Sequence, residues 1–404
     1  MSQPLPVLTE RFSSIDSWLQ SHTSLWQGMP FDYLDLPWRE THPELCHWLD
    51  AQSLETLQKY KENPRCLADA IAAYLPDTKK MLALCAINSA DSSDADIPCD
   101  NHLATGIPGR KWEQISAFNR VMPMSSGDHW LEWCAGKGYL GRVISASRQA
   151  RVTSLEWQSA LCQDGQDYAD KQGLPMHFVQ GDAFASDSEL LVRDCDHAIA
   201  LHACGDLHVT LLQHSVSAKP KSVSVSPCCY HLIRDSHYQA LSSAGKQSPL
   251  ELSRHDLKLP LQETVTAGQT VKNKRFVEVS FRLGFDCLQR ALGVSDHYLP
   301  VPNVQKSLLN EGFEAFCLWA AKQKNIVLPD DVDFTHYLKR GESRFLTVEK
   351  METVRTLFRR PLEMWLVLDK AMYMSENGFD VDIYTFCARE LTPRNILIQA
   401  IRKG

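Results

Sequence analysis

Apolar residues spaced three or four apart run through residues 1 to about 85, in IDSWLQSHTSLW, PELCHWLDAQSLETLQKY and CLADAIAAYL, and predict helices punctuated by Pro64 and Pro76. Residues 88 to 107 are polar and rich in Ser and Asp, which predicts a loop or linker, and GRKWEQISAFNRVM then predicts a short helix. Beyond it the pattern alternates. Short apolar runs predict strands at 129–133, 151–155, 176–180, 196–201 and 222–226, with helices at 139 to about 149, 157–172 and 207–217 between them. Five strands joined by helices imply a doubly wound, mostly parallel α/β sheet that binds ligands at the carboxyl ends of its strands. Helical spacing returns from about 275 to 376, interrupted by Pro361, and VDIYTFC (381–387) and NILIQAIR (395–402) then predict a β-hairpin that completes the sheet. The expected organisation is a helical N-terminal region and linker over 1–107, an α/β core over 108–260, a helical insertion over 261–376 and the hairpin over 377–404.

The most informative stretch is HWLEWCAGKGYLGR, residues 129–142, in which a predicted strand leads through a glycine-rich turn into a predicted helix. Residues without side chains let a ligand approach the backbone N–H groups of such a turn. Gly136, Gly138 and Gly141 read G-x-G-x-x-G, and Glu156 follows twenty residues after Gly136, so a dinucleotide fingerprint is formally met. Glu132 argues for another ligand. Its carboxylate, four residues before Gly136, opposes a pyrophosphate and favours a cationic sulfonium with a free amino group, S-adenosylmethionine. On that reading Cys134 and Ala135 pack beside the ligand, Glu156 accepts from two ribose hydroxyls, and Asp182 with Ala183, in the turn after FVQG, meets the adenine.

The ends of the fourth and fifth strands, ALHACGDLH (200–208) and SPCCYHLI (226–233), gather His202, Cys204, Asp206, Cys228, Cys229 and His231. In one reading His202 or Asp206 removes or steers a substrate proton while Tyr230 and His231 shape the acceptor pocket. In a second the Cys and His side chains bind zinc, and in a third they are packing residues. Adjacent cysteines are awkward joint ligands and no pair has finger-type spacing, so no metal site is assigned.

Composition narrows the class. The chain of 404 residues is 44% hydrophobic and 23% charged, has no apolar run long enough to span a bilayer, and begins without a signal-peptide pattern, so a cytoplasmic protein is expected. Its thirteen cysteines form no C-x-x-C pair or regular framework, as expected of reduced thiols. The net charge of -7 is concentrated at the start: residues 1–100 hold 7 Lys and Arg against 15 Asp and Glu, and the rest is close to neutral. Nucleic-acid contact would therefore need local basic groups such as KNKR at 272–275 or Arg359 and Arg360, which read first as solvated faces.

The order E-x-C-A-G-K-G-x-L-G-R, then LHACGDL, then PCCYH, then a closing TPRN resembles the methyltransferase-domain family that includes methyltransferase-like 25 and the animal glutathione S-transferase C-terminal domain-containing protein. It is more distantly similar to eukaryotic tRNA 2'-O-methyltransferases of the acceptor stem. The resemblance covers roughly 108–235 and the last fifteen or so residues. It implies a Rossmann-like class I methyltransferase sheet, dependent on S-adenosyl-L-methionine, with Glu132, Gly136 and Gly138 at the methionine end, Glu156 at the ribose and Asp182 at the adenine. The tRNA enzymes also carry N-terminal zinc-binding segments. Here residues 1–100 have only Cys46, Cys66, Cys85 and Cys99, without metal spacing. The expected reaction is in-line methyl transfer to RNA (tRNA or rRNA) or, next, to protein, with His202, Asp206, Cys228, Cys229 and His231 on the acceptor side. A nicotinamide-dependent oxidoreductase and a non-catalytic binding module of the same fold are the rival readings.

Overall fold

The computed structural model describes residues 3–90, 101–262 and 268–404. Residues 91–100 of the predicted linker, with Cys99, lie outside the described residues. Seven strands, β1 (His129–Trp133), β2 (Arg151–Glu156), β3 (Met176–Gln180), β4 (His197–Cys204), β5 (Ser222–Cys228), β6 (Phe379–Thr385) and β7 (Ile396–Arg402), form one sheet in the order 3-2-1-4-5-7-6. Strands β1 to β5 are parallel, and β7 runs antiparallel to both β5 and β6. This is a Rossmann-like arrangement with an antiparallel hairpin at one edge. The order reverses between β1 and β4, and the glycine turn lies at the carboxyl end of β1, beside that reversal.

The helix α1 (Gly109–Arg120) precedes the sheet, and α2 (Tyr139–Arg148), α3 (Ser159–Gln172) and α4 (Asp206–Ala218) join its strands. Trp130, Val152, Phe178 and Ile199 from the strands pack with Phe118 of α1 and Leu140, Val143 and Ile144 of α2 in one buried cluster. Strand β5 is buried throughout, so its serines need internal partners. Ser222 Oγ bonds His197 Nδ1 at 2.7 Å, and Ser226 Oγ donates to the Arg394 carbonyl at 3.3 Å.

The chain divides into two compact units. One comprises 1–20, 83–263 and 360–404 and contains the sheet; the other comprises 21–82 and 264–359 and is helical among its described residues. In the helical unit Asp286, almost fully buried, accepts from Arg344 at 2.6 Å and Arg290 at 2.8 Å. Glu349, fully buried, is paired with Lys61 and Arg275. Lys272 pairs with Glu62 at 3.0 Å and Arg359 is mostly buried beside Glu352, whereas Lys274 and Arg275 are exposed.

Several boundaries differ from the sequence reading for identifiable reasons. The first predicted helices are broken, one at His22 and another where Ser53 caps Leu54–Glu62 by accepting the Thr56 N–H at 3.1 Å. Pro361 does not interrupt its helix: Phe334–Glu376 runs through it. A proline inside a helix costs about 3 kcal/mol. Here Leu362, Met364, Trp365, Leu366, Val367 and Leu368 are all buried on successive faces, and their burial offsets the loss. Strands β4 and β5 extend past their predicted ends, to Cys204 and Cys228, because a bulge renews their pairing.

Candidate functional site

The turn between β1 and α2 is built from left-handed backbone. Cys134 (φ 56°), Gly136 (φ 60°) and Gly138 (φ 67°) all occupy that region, the last as the residue preceding α2. The two glycines differ in their surroundings. A Cβ on Gly138 would stand 2.4 Å from Phe178 Cζ, whereas a Cβ on Gly136 would meet nothing within 4 Å. Gly138 is thus required by packing, and Gly136 leaves open space beside a turn of backbone N–H groups.

Glu132 is only 4% exposed and lies beneath this turn rather than on its open side. Its Oε2 accepts from the Ser154 hydroxyl at 3.0 Å, and the N–H groups of Leu140 and Gly141 also hold it. A Cβ on Gly141 would come within 2.6 Å of that oxygen, which explains the third glycine of the motif. Burial outweighs these hydrogen bonds and raises the carboxyl from 4.5 to about 7.

Glu156, at the end of β2, accepts from the Gly136 N–H at 2.9 Å and the Gln158 N–H at 3.0 Å, one on each oxygen. Each oxygen has a second lone pair for another donor. Asp182 is exposed after β3 and accepts the Phe184 N–H at 2.9 Å, while Ala183 is buried. Ala135 donates its N–H to the Leu155 carbonyl and ties the turn to β2. Burial, and next the Glu156 charge, push the Cys134 thiol up to about 12, so it is a neutral packing group. Lys137 pairs with Asp164 at 2.8 Å on the surface.

The strand-end cluster arises from a bulge. From His197↔Ser222 to Leu201↔Ser226 the β4–β5 register is constant; then one extra residue enters β4 and Cys204 pairs with Cys228. His202, within the bulge, is left-handed at φ 72°, and Cys229 is so at φ 30°. The Cys204 and Cys228 sulfurs are 3.1 Å apart, and with the Cys229 sulfur all three lie within 4.8 Å of one another. A hydrogen bond from Cys228 favours the Cys204 thiolate and lowers its pKa; the same bond raises Cys228, and burial raises Cys229.

The other predicted acceptor-side residues separate by role. Asp206 Oδ2 accepts the Arg234 N–H at 2.7 Å, and the Asp206 N–H donates to the Leu232 carbonyl, so this residue holds the 229–234 loop against the start of α4. His202 is exposed and its Nε2 lies 3.1 Å from Gln114 Oε1; desolvation, then Lys111, lowers its pKa. His231 Nδ1 and the buried Tyr230 hydroxyl make no hydrogen bond within the described protein. Lys111 and Gln114, three residues apart on α1, went unnoticed in the sequence. Their helical spacing would have placed them on one face, but nothing in GRKWEQ says which strand end that face meets.

Residues 110–236 match the family model of a methyltransferase domain. The glutathione S-transferase C-terminal domain-containing protein of Mus musculus is 24% identical over 208 residues, which are 50% of this chain and 31% of that protein. Its Homo sapiens counterpart is 24% identical over 142 residues, 34% of this chain and 22% of that protein. The chain therefore spans about a third or less of these relatives. Aeropyrum pernix fibrillarin, solved with S-adenosyl-L-methionine, is 16% identical, with a TM-score of 0.25 over 28% of this chain and 52% of that one. Among the described residues no helix is long and apolar enough to cross a membrane. Residues 110–236 are thus similar to a methyltransferase domain and belong to a Rossmann-like sheet.

Proposed function

We propose that the chain is an S-adenosyl-L-methionine-dependent methyltransferase acting on RNA, tRNA or rRNA, in the cytoplasm, with protein as the next acceptor class. The observation that carries the cofactor reading is the open space beside left-handed Gly136, bordered by the Glu156 carboxylate. The turn at 134–138 would hold the methionine end, Glu156 the ribose, and Asp182 with Ala183 the adenine. Glu132 fixes the turn from below. The bound cofactor supplies an electrophilic methyl group, and the protein's own contribution is to position the acceptor, exclude water and manage the acceptor's proton.

On the acceptor side His202, steered by Gln114, takes or directs that proton, and His231 and Tyr230 wall the acceptor pocket. Asp206 positions the loop that carries them. Cys228 and Cys229 complete the strand ends.

Two measurements test the reading. Calorimetry should detect S-adenosylhomocysteine and no NAD(H), and Glu156→Ala should abolish that binding. Labelled methyl transfer into fractionated cell extract should then mark RNA. Label in protein alone would move the acceptor assignment, NAD(H) binding in place of S-adenosylhomocysteine would restore the oxidoreductase, and binding without any labelled product would favour the binding module.

A further inference from the structure

The three cysteines at the ends of β4 and β5 come together only through unfavourable local backbone. Two residues on which the approach depends, His202 in the bulge and Cys229 after it, adopt left-handed conformations that non-glycine residues avoid. Without the extra residue in β4, Cys204 would be in register with Cys229 and Cys228 with Ala203. The bulge instead sets Cys204 opposite Cys228, on one face of the sheet, and the turn at Cys229 brings the third sulfur to them. Three sulfurs within 4.8 Å of one another give a soft, compact donor set that suits a thiophilic divalent cation. No other His, Cys, Asp or Glu donor atom among the described residues joins the group within that mutual distance.

We propose that Cys204, Cys228 and Cys229 bind one Zn2+ ion, with the fourth tetrahedral position left to an exogenous ligand. Zn–S bonds of about 2.3 Å place tetrahedral sulfurs about 3.8 Å apart, so the Cys204–Cys228 pair needs to open by about 0.7 Å from its present 3.1 Å. Binding removes three S–H protons and forms three Zn–S bonds. Three thiolates and the dication make a site of charge -1. A three-ligand zinc site with an open position is the arrangement of catalytic rather than structural zinc. Sequence spacing concealed this site because its ligands come from two strands and their approach depends on the bulge.

The test uses the full-length chain, purified under reductant, stripped of metal by a chelator and titrated with Co2+ and then Zn2+. The expected result is one equivalent of Co2+ giving a thiolate-to-cobalt charge-transfer band and the intense visible bands of tetrahedral cobalt, both erased by one equivalent of Zn2+. Cys204→Ser and Cys229→Ser should each weaken Zn2+ binding at least tenfold, while Cys66→Ser, on an exposed helical position, should leave it unchanged. Circular dichroism and S-adenosylhomocysteine binding report whether each variant is folded. Absence of the cobalt bands in folded, reduced protein overturns the proposal. So does a band that survives both cluster variants, or a Cys204–Cys228 disulfide that persists in protein kept under reductant.

Discussion

Glu132→Gln tests how the carboxylate beneath the glycine turn is held. In the folded chain burial moves this carboxyl from 4.5 to about 7. At 1.36 kcal/mol per tenfold change in proton affinity, the ionised form is about 3 kcal/mol less favourable in the fold than in the unfolded chain. The sign follows from linkage. Between pH 4.5 and about 7 the folded chain binds more protons at this site than the unfolded chain, so the group's contribution is greatest below 4.5, declines as pH rises and levels off above about 7. Glutamine has the same shape, can still accept from Ser154 or the Gly141 N–H, and has no charge to desolvate. Relative to wild type, Glu132→Gln should therefore gain up to about 3 kcal/mol between pH 4.5 and 8. The assay is chemical unfolding of both proteins at half-unit pH steps, read as the difference between them so that other titrating groups cancel. A difference that stays flat across that range would refute the account of Glu132 as a buried, strongly desolvated acid. S-adenosylhomocysteine binding at pH 8 adds a second readout: a large loss of affinity in the variant would show that the charge also serves the ligand's ammonium.

The glycines should separate cleanly. Gly138→Ala should destabilise by about 1–3 kcal/mol through its clash with Phe178, seen as a lowered melting temperature. Gly136→Ala should cost only about 1 kcal/mol of stability, because its Cβ enters open space, yet weaken S-adenosylhomocysteine binding at least tenfold by calorimetry. In the sheet-containing unit, buried Asp369 accepts from the Leu241 and Ser242 N–H groups, the Ser242 hydroxyl and the Tyr238 hydroxyl. Asp369→Ala should therefore cost about 3–5 kcal/mol in unfolding experiments, since it strands those donors and removes the stronger of the two carboxylate charges, Asp369 and Asp206, that act on buried Lys370.

Much of the sheet was legible because each strand and its helix carry their own period, and the pairing of β1, β2 and β3 adds no irregularity to it. The same locality brings the proposed cofactor residues together. Glu132, Gly136, Glu156 and Asp182 each end a strand or open a turn, so knowing that the strands are parallel is enough to bring them to one edge. Strand alternation does not show that Glu132 is buried against Ser154 of the neighbouring strand and the start of the following helix. The long helix defeated the Pro361 rule because packing on every face exceeds a local penalty of about 3 kcal/mol, and residues far apart in sequence supply that packing.

The acceptor side was less legible for a different reason. A uniform β4 would have carried the 25-residue offset from Leu201 onward, pairing Cys204 with Cys229; one extra residue changes the offset to 24 and moves the contact to Cys228. No signal in ALHACGDLH marks that residue, because the left-handed conformation falls on His202, a residue type that adopts it only occasionally, and not on a glycine. Strain of this kind persists only where surrounding contacts enforce it. Here they do: a Cβ on Gly205 would lie 1.9 Å from the Leu232 carbonyl, and Asp206 accepts the Arg234 N–H. The 229–234 loop is thus clamped to the start of α4, and the clamp holds Cys229 and His231 against the bulged end of β4. Relaxing the clamp with Asp206→Ala should release the loop and impair every function assigned to these strand ends, while leaving the turn at Gly136, on the far side of β1, able to bind S-adenosylhomocysteine.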